Sequence, residues 1–195
     1  MTKPDLENTL RIIGGNWRSR KVSFADQIQI RPTPARVRET LFNWLQYHIA
    51  GSRCLELYAG SGILSLEALS RGARHVTLVD AAASICSHLH GVLQALAADP
   101  QSYSCSSSTA LAYLQANPNL TPFDLIFLDP PFDSKELSSI LPLLAAGKLV
   151  TEDGFVYIES AAVVDQQVLP VGWQIHRQKR AAGVHYCLCR PARQS

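Results

Sequence analysis

The sequence predicts an α/β fold, a mostly parallel sheet with helices on both faces. From Arg53 onward, apolar strand patterns alternate with helical ones, as βαβ units do. A glycine turn, Tyr58-Ala59-Gly60-Ser61-Gly62, follows the first of these strands directly. The alternation breaks near the C-terminus, where two strand patterns joined by Arg180-Ala181-Ala182-Gly183 read as an antiparallel hairpin closing one sheet edge.

Each element has its own signal. Leu10-Arg11-Ile12-Ile13, Gly14-Gly15-Asn16 and Trp17 to Val22 read as a small β-hairpin, in which strand alternation puts Arg18 and Arg20 on one face. Arg31-Pro32-Thr33-Pro34 opens a helix, with Thr33 as N-cap and Pro34 at the first helical position, where its missing N–H costs little. Val37, Leu41, Trp44, Leu45 and His48 form the apolar stripe of that helix; Arg36, Glu39 and Asn43 fall opposite, and Arg38 borders the stripe. Further strands are expected at Arg53 to Tyr58, His75 to Val79, Tyr103 to Ser107, Phe123 to Leu128 and Phe155 to Glu159. Helices are expected at Ile63 to Ser70, Ala81 to Ala97, Ala110 to Ala116 and Lys135 to Ala145, and Gly172 to Lys179 pairs with Val184 to Cys189. The chain thus divides into a basic hairpin-and-helix extension, residues 1–50, and an α/β body, residues 51–195.

With 195 residues, 47% hydrophobic and 17% charged, the chain suits one α/β domain and excludes extended disorder. The N-terminus lacks an apolar leader core, and no apolar run reaches the roughly 20 residues that span a bilayer, so a cytoplasmic protein with no membrane partner is expected. The five cysteines include no Cys-x-x-Cys pair and the six histidines show no paired spacing, so no metal site is expected. Cys187 and Cys189, two apart in a strand, should share a face as packing thiols. Charge is uneven: residues 1–38 carry eight Lys/Arg against three Asp/Glu, and the rest carry ten against thirteen. A basic extension on a slightly acidic body implies a polyanionic partner, with nucleic acid the obvious one. Arg18, Arg20, Arg31, Arg36 and Arg38 are the candidate phosphate contacts.

Ligands of open α/β sheets bind beyond the carboxyl ends of the strands, where Tyr58 to Gly62 falls. Gly60 and Gly62 permit positive φ and close backbone approach, and the helix that follows offers free N–H groups to a carboxylate. Glu56 suits a cationic amine, and Asp80, ending the second strand, suits ribose hydroxyls. The third glycine of a dinucleotide fingerprint is missing, since Ser65 stands there. A nucleoside with an amino-acid end fits better than a dinucleotide. Downstream, Asp129-Pro130-Pro131-Phe132 ends an apolar strand. Its prolines stiffen the turn and remove donors, leaving the Asp129 carboxylate and the Pro130 carbonyl to accept from one NH2 group. Phe132 can stack on the heterocycle that carries that amine.

These motifs, together with Arg11 to Arg20, Arg31-Pro32-Thr33 and Arg36 to Leu45, resemble the RsmD-type 16S ribosomal RNA guanine-N2 methyltransferases, over about Leu10 to Arg190. The resemblance implies a Rossmann-like class I methyltransferase with a seven-stranded sheet, S-adenosylmethionine as donor, no metal, and a guanine amine of small-subunit rRNA as acceptor, within the particle or an assembly intermediate. It implies cofactor roles for Glu56, Tyr58, Gly60, Gly62 and Asp80. Ser108-Thr109 stands where the family carries an adenine-contacting Asp or Asn. Substrate roles are implied for Phe132, Arg11, Arg18, Arg20, Arg31, Thr33, Arg36 and Arg38, and catalytic ones for Asp129 and Pro130, in a monomer. The residues alone leave three rivals: an adenine-N6 methyltransferase using the same turn on DNA or RNA, a non-catalytic rRNA-binding assembly module and, more distantly, a dehydrogenase, which Ser65 disfavours.

Overall fold

The strand and helix patterns pair as follows in the computed structural model, which describes residues 9–24, 32–131 and 136–192. The strands are β1 (Thr9–Arg11), β2 (Lys21–Ser23), β3 (Arg53–Leu57), β4 (His75–Asp80), β5 (Tyr103–Ser107), β6 (Phe123–Leu128), β7 (Val150–Ser160), β8 (Trp173–Ala181) and β9 (Val184–Pro191). The helices are α1 (Ala35–Trp44), α2 (Ile63–Ser70), α3 (Ala83–Ala95), α4 (Ala110–Ala116) and α5 (Glu136–Ala146).

Seven strands form one sheet in the order β5-β4-β3-β6-β7-β9-β8. The first five are parallel, and β9 pairs antiparallel with both β7 and β8. The chain runs outward from β3 to β5 and then returns to lay β6 on the other side of β3. Strand order therefore reverses between β3 and β6, the place where an α/β sheet opens a crevice for ligands. Two cores flank the sheet. One joins α1, α2, α3 and the β1–β2 segment to Cys54, Leu125, Phe127 and Tyr157. The other joins α4 and α5 to Leu55, Leu57, Ile126 and Ile158, and contains both Cys187 and Cys189, whose sulfurs lie 3.5 Å apart. Among the described residues no helix is long and apolar enough to cross a membrane.

The N-terminal elements differ from their sequence expectation. β1 and β2 are three residues each, and residues 12–20 form a longer connection in place of two longer strands. The connection docks on the end of α2: Asn16 N–H donates to the Ser70 carbonyl at 2.6 Å and Trp17 N–H to Ser70 Oγ at 2.8 Å. Gly15, at φ +74°, lies so close that an added Cβ would stand 1.8 Å from the Ser70 carbonyl oxygen. The connection still bonds across itself, Ile12 N–H to the Arg20 carbonyl at 3.0 Å and Ser19 N–H to the Ile12 carbonyl at 2.8 Å, while α2 supplies the partners of Asn16 and Trp17; Arg18 and Arg20 lie outside any strand. Helix α1 also begins later than expected. Pro34, held at φ −60° and ψ 149°, is the N-cap, and no side chain caps the helix. Thr33 is not the N-cap; its carbonyl accepts from Arg38 Nε at 3.1 Å.

Arg38 joins this segment to the body. Its guanidinium reaches Glu67 at 2.7 Å and the Arg11 carbonyl at 3.0 Å. Glu67 also accepts from Ile13 N–H at 2.8 Å and pairs with Arg71 at 3.3 Å. The Glu67 carboxylate, fully buried on α2, is therefore met by two guanidiniums and a backbone donor. An ionised buried acid persists only with such partners.

Candidate active site

The crevice between β3 and β6 is a cavity of about 390 Å³, within the range of small-molecule sites. Glu56, Tyr58 and Gly60 come to it from β3 and its turn, Asp80 from the end of β4, Ser108 and Thr109 from the end of β5, and Asp129 with Pro130 from the end of β6. Pro32 and Thr33, before α1, close one side. Residues far apart in sequence thus converge because parallel strands all end at the same edge of the sheet.

The glycine turn is held from two directions. Gly60 N–H donates to Asp80 Oδ2 at 2.9 Å, and Ala82 N–H to Asp80 Oδ1 at 2.9 Å, so the carboxylate is fixed at the rim. Gly62 does not line the cavity; it is the N-cap of α2 at φ 66°, and a Cβ there would meet Leu89 at 2.5 Å. Tyr58 also takes a positive φ, 67°, an uncommon state for an aromatic residue that concentrates at functional turns. Glu56 accepts from Ser65 N–H at 3.1 Å, satisfying a donor in the first turn of α2. Thr109 Oγ1 accepts from Ala112 N–H at 3.2 Å and so caps α4, which leaves Ser108 as the hydroxyl less committed to the helix.

The electrostatics of the site are one-sided. Glu56, Asp129 and Glu159 stand on adjacent strands and on the same sheet face. Leu128 of β6 is registered with Ile158 of β7, so Asp129 and Glu159 follow side by side, and Glu56 is opposite Phe127, two residues before Asp129. Burial first, then Glu159 and Glu56, push the Asp129 carboxyl up to about 8. Burial likewise pushes Glu56 to about 7, against the pull of Ser65. No lysine or arginine is among the described residues lining the cavity. A cationic ligand would relieve this stored repulsion.

Phe132 and Arg31 lie outside the described residues. Arg11, Arg18, Arg20 and Arg36 are exposed, but Arg20 donates to the Ala95 carbonyl at 2.9 Å, at the far end of α3. The connection carrying Arg18 docks at the C-terminal end of α2, roughly 12 Å of helix rise from Gly62. The structure therefore does not bring these two arginines to the cavity. Arg38 corrects the sequence reading: only 2% exposed and committed to Glu67, it is no phosphate contact but a tie between α1 and α2. Its place on the edge of the apolar stripe was the available sign. The sequence reading also missed Glu159, buried at the end of β7, where Tyr157 Oη donates to its Oε2 at 2.9 Å. A glutamate closing the apolar run Phe155 to Ile158 was the signal.

This sheet order, with an acid-rich cavity at the strand reversal and an Asp-Pro-Pro turn on its rim, defines a class I methyltransferase. The chain belongs to the family described as Conserved hypothetical protein 95, whose model matches residues 10–190. Among its relatives, Ribosomal RNA small subunit methyltransferase D of Escherichia coli (strain K12) is 38% identical over 190 residues, 96% of this chain and 94% of that protein. The Haemophilus influenzae protein of the same name is 34% identical, with 95% of each chain covered. The solved structure of the E. coli protein yhhF superposes with a TM-score of 0.83 at 35% identity, covering 95% of this chain and 99% of that one. That of the H. influenzae protein HI0767 gives 0.80 at 33% identity, with the same coverage.

Proposed function

We propose that this protein transfers a methyl group from S-adenosylmethionine to the N2 amine of a guanine in small-subunit ribosomal RNA. The observation that carries the reading is the opening of Asp129 and Pro130 onto the same cavity as the glycine turn. The names of the relatives support a ribosomal RNA substrate. The residues present fit the cofactor: Glu56 for the amino group, the Gly60 turn and the start of α2 for the carboxylate, Asp80 for the ribose, and Ser108 beside the apolar Ile85 for the adenine. When bound, the cofactor supplies an electrophilic methyl on a sulfonium and a positive charge facing the acidic row.

The guanine N2 lone pair is delocalised into its ring, so the protein must turn it toward the donor. Asp129 and the Pro130 carbonyl each accept one N2–H, fixing the amine plane; Phe132 is the stacking candidate above the base. Orientation of this kind accounts for a large share of a transfer barrier. Asp129 also faces the positive charge that develops on nitrogen, which favours the transition state over the ground state. Residues 1–50 act as the RNA-gripping extension, with Arg11, Arg36 and the Arg18–Arg20 connection reaching phosphates away from the cavity.

The test is transfer of labelled methyl to naked small-subunit rRNA and to particles lacking the modification, with nucleoside analysis of the product. N2-methylguanosine is expected. N6-methyladenosine, or no labelled nucleoside from either substrate, would overturn the reading.

A further inference from the structure

From Gln166 onward the sequence holds five Lys/Arg and no Asp or Glu, although the rest of the α/β body is acidic. Three of the five, Arg177, Lys179 and Arg180, lie on β8, the edge strand of the sheet, and are exposed. Among the described residues none of the three is in an ion pair. A β-bulge decides which way they point. Ile175 packs against the core of α4 and α5, so strict alternation would carry Arg177 and Lys179 to that same face. The register shifts between Ile175 and Arg177, with His176 as the extra residue, its ring 5.2 Å from that of Phe155. Arg177 is thereby registered with Leu188 and Lys179 with Tyr186, both of the core under α1. The two cations turn to the sheet face that carries Asp129 and Glu159. Bulges re-aim side chains in this way and concentrate next to active sites.

Resting on the ribosomal RNA reading above, we propose that Arg177 and Lys179 form a second RNA-binding surface, gripping phosphates of the strand whose base enters the cavity. The register runs unbroken from the acids to these cations: Glu159, beside Asp129, pairs with Tyr186, and Tyr186 pairs with Lys179. Lys179 is therefore three strand spacings from Asp129, roughly 14 Å, within reach of a few nucleotides. Helix α1 leads the same way. Pro32 and Thr33 before it line the cavity, exposed Arg36 stands in its first turn, and the Trp44 ring at its end lies 5.5 Å from that of Tyr186. Strand β8 lies beyond that end. Charge thus changes sign along one face, negative where a cationic cofactor fits and positive where phosphates fit. The hairpin turn, Ala182 at φ 51° and Gly183 at φ 81°, is of the tight kind that holds paired strands in fixed register. Edge strands also carry charge merely to prevent pairing with another sheet. Either sign serves that purpose, and it requires neither an acid-free stretch nor a bulge that turns both cations toward the face of the site.

The experiment measures binding of the full-length protein to naked small-subunit rRNA over a range of salt, and methyl transfer to the same RNA. Arg177→Gln with Lys179→Gln should lower the salt slope by about 1.4–1.8, the share of two phosphates, and raise KM for the RNA more than it lowers kcat. Arg180→Gln, which alternation puts on the other face, should move the slope less than Arg177→Gln or Lys179→Gln alone. Arg177→Lys with Lys179→Arg should keep the wild-type slope. Arg177→Glu with Lys179→Glu leaves the edge charged against pairing but reverses the sign, and should weaken binding beyond the glutamine pair. An unchanged slope in the glutamine pair, or an equal change from Arg180→Gln, would overturn the assignment. Should the glutamine pair aggregate, wild-type RNA affinity in the glutamate pair does so instead. Binding reads this surface and product analysis reads the underlying function: RNA that is bound but never methylated counts against the function alone.

Discussion

A buried acid on α2 and a row of acids at the strand ends sit on the same side of the sheet and are treated in opposite ways. Glu67 on α2 is met by Arg38, Arg71 and the Ile13 N–H. Burial pushes its carboxyl up, but all three partners pull it back. At the strand ends, burial and neighbouring acids both push Asp129 up, and no described group opposes them. The first arrangement is complete within the chain and serves to fasten the N-terminal segment. The second leaves repulsion that a positively charged ligand would remove, which marks the candidate site more clearly than any single residue does.

Removing a partner from the completed group should have the largest effect. Arg38→Ala leaves Glu67 short of a buried cation and should cost about 3–5 kcal/mol of stability, read by denaturant unfolding; a loss under about 1 kcal/mol would mean that the tie is dispensable. Next, Asp129→Ala should lower methyl transfer by roughly 10²–10³-fold, the scale of losing one aligned transition-state partner, while cofactor affinity measured by calorimetry changes little. Turnover near the wild-type value would remove Asp129 from the chemistry.

The same carboxyl gives a pH test of the contrast. Burial and its acidic neighbours push the Asp129 carboxyl up to about 8 in the folded chain, against about 4 when unfolded. Between those values the folded state holds the extra proton, so stability falls as pH rises through the window. Asp129→Asn removes the Asp129 share of this dependence, leaving that of Glu56, and its Tm should exceed that of the wild type by a margin that widens from pH 5 to pH 8. A constant or shrinking margin would contradict the uncompensated row. The smallest effect belongs to the exposed arginines. Arg36→Ala should reduce the salt slope of RNA binding by about 1, and Arg18→Ala with Arg20→Ala should lower it too. An unchanged slope in the double variant would take that connection out of the interface.

Much of this molecule is legible in its sequence. The alternation after Arg53 gives β3 to β7 with their helices, and period-two patterns mark β8 and β9, because hydrophobic periodicity is a local consequence of which face is buried. The glycine turn, Asp80 and the Asp-Pro-Pro segment could be assigned to one site since the ends of parallel strands share an edge. The N-terminal segment was less legible: it pairs with itself, Ile12 bonding to Ser19 and Arg20, but Ile13, Asn16 and Trp17 find partners on Glu67 and Ser70, more than fifty residues away, which its own alternation does not reveal.

The sequence by itself determined the layered α/β class and the chemistry available at the strand ends, since pattern and residue type are local properties. Only the tertiary structure decided which charges are solved internally and which are left for a ligand. Arg38 looked like a phosphate contact and proved to be the partner of Glu67, while Glu159 looked like the end of a strand and stands beside Asp129. Burial and pairing depend on the register of strands and the docking of helices, and those are properties of the whole chain.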